Sequence, residues 1–204
     1  MNPYQVTKDF EQALREYTGA KHAVAVNSGT AALFLSLLWC RMVRGECILE
    51  IPSRTYVSVP CAVIQAGHLI HWHQDYWRGE YQLSPLPVWD SARRFTSGMY
   101  REGQFQCLSF ATTKILGIEQ GGAILHDNDE ADAWLRRMRF DGRTEGVDPR
   151  EDHFDLIGYH MIMLPSISAQ LTLKLYHLPN SNDDLLDYDY PDLRKAPAFW
   201  EYAR

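Results

Sequence analysis

The sequence of 204 residues is poor in cysteine, has no surplus of basic residues and contains no long hydrophobic run. Its four cysteines form no Cys-x-x-Cys pair and no zinc-type spacing, and each lies in an apolar stretch. They are therefore expected to be buried, reduced thiols, and no metal site is predicted.

The 20 basic and 26 acidic residues give a net charge of −6. This balance does not indicate a nucleic-acid-binding or anionic-membrane-binding protein, although a local basic face would escape such a count.

Signals for export and for membrane insertion are also lacking. The first five residues, Met-Asn-Pro-Tyr-Gln, are not a basic region that leads into an apolar one, so no signal peptide is predicted. The longest apolar run, residues 31–40, is interrupted by Ser36, and a transmembrane helix needs about 20 apolar residues. These absences predict a cytoplasmic protein without a membrane partner.

Hydrophobic residues make up 46% and aromatic residues 12% of the chain, which is enough to form a substantial core. Strand-like runs alternate with helical spacings, which is typical of an α/β fold with a mostly parallel sheet and helices on both faces. Residues 1–178 are expected to form this domain, and residues 179–204 an irregular, acidic tail on the surface. Helices are predicted at residues 7–18, 31–42, 53–66, 128–140 and 164–177, and strands at residues 21–26, 47–51, 68–73, 88–90, 104–110 and 122–126.

Polar features follow several of the predicted strands, at the end of the sheet where α/β proteins bind ligands. The turn Ser28-Gly29-Thr30-Ala31 begins a helix, whose unpaired N–H groups can hold a phosphate. The same residues would also make an ordinary helix cap. Asp90 ends an apolar strand, where it would either serve a site or cap the next turn. Gly158-Tyr159-His160 indicates only a turn.

A lysine completes the pattern. Ser109 and Lys114 follow the strand at residues 104–110, close to the glycine pair Gly121-Gly122. Most lysines are solvated surface charges, but here the order of a phosphate-binding turn, an aspartate, a serine and a lysine favours pyridoxal phosphate. That cofactor needs a lysine amine for its Schiff base, an acid beside its pyridine nitrogen and donors for its phosphate.

The motifs resemble those of the DegT/StrS-type sugar aminotransferases, which are fold-type I enzymes dependent on pyridoxal phosphate. The resemblance covers about residues 6–175 and implies a three-layer α/β fold with a six- or seven-stranded sheet. It is carried by residues 10–33 (FEQALREYTGAKHAVAVNSGTAAL), Pro52-Ser-Arg-Thr-Tyr56, Gln65-Ala-Gly67, Asp90-Ser-Ala-Arg93, Ser109-Phe110 with Lys114, Gly121-Gly122, Gly158-Tyr159-His160 and residues 164–169 (LPSISA).

The resemblance implies a role for each matching residue. Lys114 would form the Schiff base and carry the proton between cofactor and substrate, and Asp90 would pair with the pyridine nitrogen. Tyr56 would stack on the cofactor ring, while Arg93 stands where the family has a glutamine beside the phenolic oxygen. An arginine there would favour the phenolate. The other cofactor contacts that the resemblance implies are Gly29, Thr30, Ala31, Ser109 and His160.

The chain also departs from the family. It is about half the usual length, so a C-terminal small domain and one sheet segment between residues 73 and 88 are expected to be missing. Family members are homodimers with shared active sites, which implies a homodimer here with His160 near the site of the partner. His160 and Ile162 stand where the family has asparagine and arginine, so the contact from the partner subunit is expected to differ from that of the family.

The leading hypothesis is an aminotransferase that transfers an amino group from an amino acid to a keto-sugar or similar carbonyl. A second hypothesis is a pyridoxal-phosphate decarboxylase, or another enzyme of Cα chemistry, acting on a bulky or macromolecule-linked amino-acid-like substrate. Were that substrate a modified nucleotide or DNA, a basic face near Arg93, Arg94 and Arg101 would have to bind it. A third hypothesis is a non-catalytic relic of the fold.

Overall fold

Helices and strands alternate only over residues 3–73, whereas the sequence predicts alternation more widely; within residues 69–126, all of which the structure describes, five strands follow one another without a helix between them. The computed structural model describes residues 3–186 and 189–204. The predicted helix at residues 53–66 begins later, at Ser58, so residues 53–57 leave the sheet as a turn. The elements are α1 (Pro3–Thr18), β1 (His22–Val26), α2 (Gly29–Arg44), β2 (Ile48–Pro52), α3 (Ser58–Gln65), β3 (Leu69–His73), β4 (Tyr81–Gln82), β5 (Val88–Asp90), β6 (Phe105–Ser109), β7 (Gly122–His126), α4 (Asp129–Met138), α5 (Pro165–Tyr176) and two 3-10 turns (Leu193–Lys195 and Pro197–Phe199).

The sheet is mixed, although a mostly parallel sheet is expected from the sequence. Five strands form one sheet in the order β1-β7-β6-β5-β4, and β2 pairs with β3. Only the β5–β6 and β2–β3 pairs are parallel among the strands of the described residues. Residues 110–121 and 83–87, which are described throughout, join antiparallel neighbours without a helix to return the chain to the starting end of the sheet, as parallel pairing requires. The α/β class itself is confirmed.

The two sheets are linked, and helices cover both faces. The backbone N–H of Glu50 in β2 donates to the carbonyl of Ser84, beside β4, at 2.8 Å. Along β1 the side chains alternate, so that Val24 and Val26 pack with α2, α3 and α4, whereas Ala23 and Ala25 pack with α1 and α5. This period of two places one hydrophobic layer on each face of the sheet. The prediction of helices on both faces is therefore confirmed.

Two further expectations concern the burial of the cysteines and the length of the apolar helices. All four cysteines are free, with Cys40 and Cys107 buried and Cys47 and Cys61 only partly so. Across the described part of the chain, every helix is too short or too polar to cross a lipid bilayer.

The described residues of the C-terminal segment, 179–186 and 189–204, pack on the domain more closely than a surface tail would. Leu193 and Phe199 are buried, and Phe199 lies edge-on to Trp72 of β3. The backbone N–H of Ile70 donates to the carbonyl of Tyr202 at 2.9 Å, and that of Arg204 donates to Ile70 at 2.8 Å. The last residues thus lie along the edge of β3, and the expected surface position does not hold for Leu193 and Phe199. The domain boundary at residue 178 stays a prediction.

A buried ion-pair network joins α1 to α4. The carboxylate of Glu11, which is 3% exposed, accepts hydrogen bonds from Arg139, from Arg136 at 2.6 Å and from the backbone N–H of Ala25 at 2.9 Å. Arg139 is equally buried and also donates to Glu145 at 2.7 Å. Charges at this depth are tolerated only when they are paired, so each member of the network depends on the others.

Replacing Glu11 by glutamine is expected to lower the free energy of unfolding by about 1.5–3 kcal/mol, because the buried guanidinium of Arg139 and the part-buried guanidinium of Arg136 each lose one of their two carboxylate partners. Burial raises the pKa of Glu11, but Arg139 and Arg136 outweigh it and hold the pKa below its usual 4.5. The stabilisation is therefore complete above about pH 4.5 and is lost as the pH falls through the lower folded value. Urea unfolding at several pH values measures both effects. Glu16→Gln, on the exposed face of α1, is the control and should change stability by less than about 0.5 kcal/mol.

Candidate active site

A cavity of about 410 Å³ lies where β5 and β6 end and α2 begins. It is the place that the sequence analysis predicts for a ligand, at the carboxyl ends of neighbouring parallel strands. Ala31 and His160 line a different, more open depression beside it. The predicted site residues that line the cavity are Gly29, Thr30, Tyr56, Asp90, Arg93, Ser109 and Lys114.

The first turn of α2 forms one end of the cavity. Ser28 caps the helix, and its Oγ accepts the N–H of Ala31 at 3.0 Å, which commits that donor to the cap. The N–H groups of Gly29 and Thr30 carry the partial positive charge of a helix N-terminus. A Cβ on Gly29 would lie 2.8 Å from the Cβ of Ser109, so only glycine allows α2 to approach β6 this closely. Backbone donors and the Ser109 hydroxyl thereby come together as an anion-binding end.

Asp90 lies deep in the cavity and is held by two hydrogen bonds. Its Oδ1 accepts the N–H of Ala92 at 3.0 Å, and its Oδ2 accepts the hydroxyl of Tyr81 at 3.1 Å. The Tyr81 hydroxyl is in turn 2.6 Å from Thr55 Oγ1. Burial raises the pKa of Asp90, an effect that the Ala92 N–H and the positive charge of Lys114 oppose. The carboxyl group is thus fixed in orientation and sensitive to any cation that enters the cavity.

Lys114 projects from a tight turn that follows β6. The backbone N–H of Lys114 donates to Ala111 at 2.9 Å, and the N–H of Gly117 donates to Lys114 at 2.8 Å. A Cβ on Gly117 would meet these two carbonyl oxygens at 2.5 and 2.6 Å, so the turn requires glycine there. Burial, and to a lesser degree Arg93, lower the pKa of the Lys114 amine, while Asp90 opposes them. A lowered pKa leaves more of the amine neutral and nucleophilic.

An aromatic wall made of Tyr56, Trp77 and Tyr190 lies at the mouth of the cavity. The rings of Trp77 and Tyr190 are nearly parallel, with centroids 6.4 Å apart, and Tyr56 lies 6.3 Å from Tyr190. The indole N–H of Trp77 donates to the carbonyl of Arg54 at 2.9 Å. The sequence analysis missed Trp77, Tyr81 and Tyr190, which lie in stretches without a period or motif. It quoted Thr55 within the motif at residues 52–56 but gave it no role.

Arg93 joins the cavity to the C-terminal part of the chain. It is 8% exposed, and its guanidinium donates to the carbonyl of Leu186. Its backbone carbonyl accepts the N–H of Leu185 at 2.9 Å. The residue therefore places a positive charge in the cavity wall while one of its donors holds the chain near residue 186.

His160 lies outside the cavity. Its side chain is 72% exposed, and its Nδ1 is 2.9 Å from Asp141 Oδ2. Neither His160 nor Ala31 lines the cavity that contains Lys114, and the N–H of Ala31 is already bonded to Ser28. The contacts of these two residues with a cofactor stay predictions.

The residues present fit pyridoxal phosphate. The anion-binding end suits its phosphate, the buried carboxyl group of Asp90 suits a protonated ring nitrogen, and the amine of Lys114 suits its aldehyde. The aromatic wall offers a flat apolar surface for the ring. These groups have different chemistry, and one cavity collects all of them.

Comparisons with known proteins agree with this fit. A profile of the DegT/DnrJ/EryC1/StrS aminotransferase family matches residues 1–88 and 96–184. GDP-perosamine synthase of Caulobacter vibrioides is 26% identical in an alignment 198 residues long, and the alignment covers 76% of this chain and 52% of the synthase. DesV of S. venezuelae, solved with a ketimine intermediate, is 22% identical with a TM-score of 0.66, over 84% of this chain and 56% of DesV. NtdA of Bacillus subtilis, solved with bound PMP, is 18% identical with a TM-score of 0.69, over 85% and 48%. The chain spans about half the length of these relatives.

Proposed function

Because the chain belongs to the DegT/DnrJ/EryC1/StrS aminotransferase family, we propose that it binds pyridoxal phosphate beside Lys114 and transfers an amino group to a keto-sugar or similar carbonyl. The enzymes of this family use that cofactor. The observation that supports the proposal most strongly is the meeting of Lys114, Asp90, Ser109 and the start of α2 in one cavity.

Two residues hold and move protons in the proposed reaction. Bound pyridoxal phosphate supplies an aldehyde that captures amines and a ring that accepts electrons from the substrate carbon. Asp90 keeps the ring nitrogen protonated, since a buried carboxylate favours a cation beside it. The Nζ of Lys114 would hold the aldehyde of the cofactor and, as a free amine, would move a proton at the substrate carbon.

The other residues bind and orient. Gly29 and Thr30 offer backbone N–H groups and Ser109 a hydroxyl to the phosphate, which fixes one end of the cofactor. Tyr56 packs on the ring. Arg93 would contribute a positive charge at the position where the family resemblance implies a neutral glutamine, and it would favour the phenolate form of the cofactor.

We also propose that two copies of the chain associate through the surface around His160. Several apolar side chains are exposed in this region, and Ile157 is 93% exposed. Several exposed apolar side chains within one short stretch of chain are typical of an interaction face. The proposal predicts a dimer by light scattering, and a monomer at micromolar concentration would contradict it. The other exposed apolar side chains here are Phe154, Tyr159 and Leu164.

The amine-transfer proposal is tested in two half-reactions. The purified chain is loaded with pyridoxal phosphate and given L-glutamate, and the conversion of the cofactor to pyridoxamine phosphate is followed by absorbance. A nucleotide-linked keto-sugar is then added, and the return of the first spectrum is recorded. Both changes are expected. Release of carbon dioxide without pyridoxamine phosphate would contradict transamination, and no binding of the cofactor would contradict the proposal as a whole.

A further inference from the structure

One wall of the cavity comes from a part of the chain beyond the match to the family, which ends at residue 184. We call residues 189–193 the C-terminal strap. The carbonyl of Tyr190 accepts a hydrogen bond from Arg54 at 2.8 Å, and the N–H of Leu193 donates to Ser53 at 2.9 Å. Both partners lie in the turn that precedes α3 and carries Tyr56. The strap is thus tied directly to the site.

The chain is also fixed on the other side of the cavity. The guanidinium of Arg94 donates to both carboxylate oxygens of Asp184, at 2.9 and 2.6 Å. A bidentate pair of this kind is directional and resists rotation. The N–H of Leu185 adds a bond to Arg93. The chain is therefore anchored at residues 184–186 as well as at residues 190–193.

The side chain of Tyr190 points into the cavity. Its hydroxyl interacts with the guanidinium of Arg93 and lies close enough to Asp90 for the two to interact electrostatically. Its ring packs against Trp77 and lies near Tyr56. Trp77 is itself held by its bond to the carbonyl of Arg54. Tyr190 is thus part of a rigid wall whose polar end reaches the deep residues of the site.

We propose that Tyr190 is a specificity-determining residue, whose ring limits the size of the group that can approach Lys114. The proposal rests on the proposed function, because it concerns which carbonyl and amine substrates reach the same lysine. A slim group passes between the wall and the turn that carries Lys114, whereas a broad group is excluded by the ring. Because the strap fixes the backbone, the width of this passage depends on the side chain at position 190.

Access to Lys114 can be measured on the full chain without the cofactor. The protein is treated with sodium cyanoborohydride and either acetaldehyde or 1-naphthaldehyde, and alkylation of Lys114 is quantified by peptide mass spectrometry. Exposed Lys21 in the same sample corrects for the intrinsic reactivity of each aldehyde. The quantity compared between variants is the corrected ratio of naphthaldehyde to acetaldehyde labelling at Lys114.

Tyr190→Ala is expected to raise this ratio about 10-fold or more, since hydrophobic pockets discriminate by size on this scale. Tyr190→Phe keeps the ring and should leave the ratio unchanged. Tyr190→Trp should lower it, which is a change that damage to the fold would not produce. Tyr176→Ala, at an 85% exposed tyrosine on α5, is the matched control.

An unchanged ratio in both Tyr190→Ala and Tyr190→Trp would overturn the proposal, as would equal increases for both aldehydes. These outcomes are independent of the proposed function, because the labelling needs no pyridoxal phosphate. If the chain binds the cofactor and the ratio is unchanged, only the role of Tyr190 fails. If the ratio changes as expected but the chain binds no cofactor, the proposed function is wrong, whereas the role of Tyr190 in limiting access to Lys114 is retained.

Discussion

Replacing Lys114 by alanine is expected to abolish covalent attachment of pyridoxal phosphate to the chain. Of the five lysines in the sequence, Lys114 is the one that lines the cavity. Burial lowers the pKa of its amine, which favours attack on an aldehyde. The variant loses both this nucleophile and the group that moves the proton, so its kcat should fall by about 10⁴-fold or more.

The measurement is the mass of the chain after borohydride reduction, together with its visible absorbance. The unaltered protein should retain one cofactor per chain at Lys114 and absorb visible light, and Lys114→Ala should do neither. Lys21→Ala is the control, because Lys21 is exposed and pairs with Asp129 far from the cavity. A reduced adduct of equal yield in Lys114→Ala would show that the assigned lysine is wrong.

Replacing Asp90 by asparagine is expected to lower kcat by about 10²–10³-fold while the cofactor still binds. The amide keeps the shape of the side chain and the bond from the N–H of Ala92. It cannot supply the negative charge that holds a proton on the ring nitrogen, and preorganised electrostatic contacts of this kind contribute that much to catalysis. Single-turnover kinetics with L-glutamate measures the effect on the chemical step.

Although Asp90→Asn is expected to lower kcat, it should raise the stability of the apoprotein. Burial raises the pKa of Asp90 in the folded chain, so the unfolded chain releases this proton at lower pH. The contribution of Asp90 to stability is therefore greatest in acid and declines as the pH rises through the folded pKa. The variant removes this decline and should melt at a higher temperature than the unaltered apoprotein at pH 7. Tyr81→Phe removes the hydroxyl that donates to Asp90 and contacts Thr55, and it leaves the carboxyl group of Asp90 in place. It should reduce kcat by a smaller factor than Asp90→Asn, and an equal loss of activity would contradict the role assigned to the Asp90 carboxylate.

The sequence is sufficient to locate Asp90 and Lys114, because each follows an apolar strand and belongs to a motif of the family. Pairing direction is not predictable in the same way. It depends on whether residues 110–121 return the chain to the starting end of the sheet, and the apolar pattern of the strands is the same in either case. Ala31 illustrates a different limit, since only the three-dimensional structure reveals that the hydroxyl of Ser28 already takes its N–H.

The packing of Trp77 against Tyr190 could not be predicted from the sequence, for a physical reason. Trp77 follows β3 in a stretch without a period, and Tyr190 lies in the acidic segment after α5. Their contact depends on tertiary hydrogen bonds, from Arg54 and to Ser53, which no local pattern encodes. Long-range contacts of this kind appear only when the chain is folded.

The hydrogen bonds between the last residues and β3 have a consequence for self-association. A strand at the edge of a sheet presents unpaired N–H and C=O groups, which are a template for pairing with another chain. Tyr202 and Arg204 engage the N–H and the carbonyl of Ile70, and the ring of His71 lies 2.7 Å from the carbonyl of Arg204. These residues, which follow the C-terminal strap, therefore shield the β3 edge from intermolecular sheet extension.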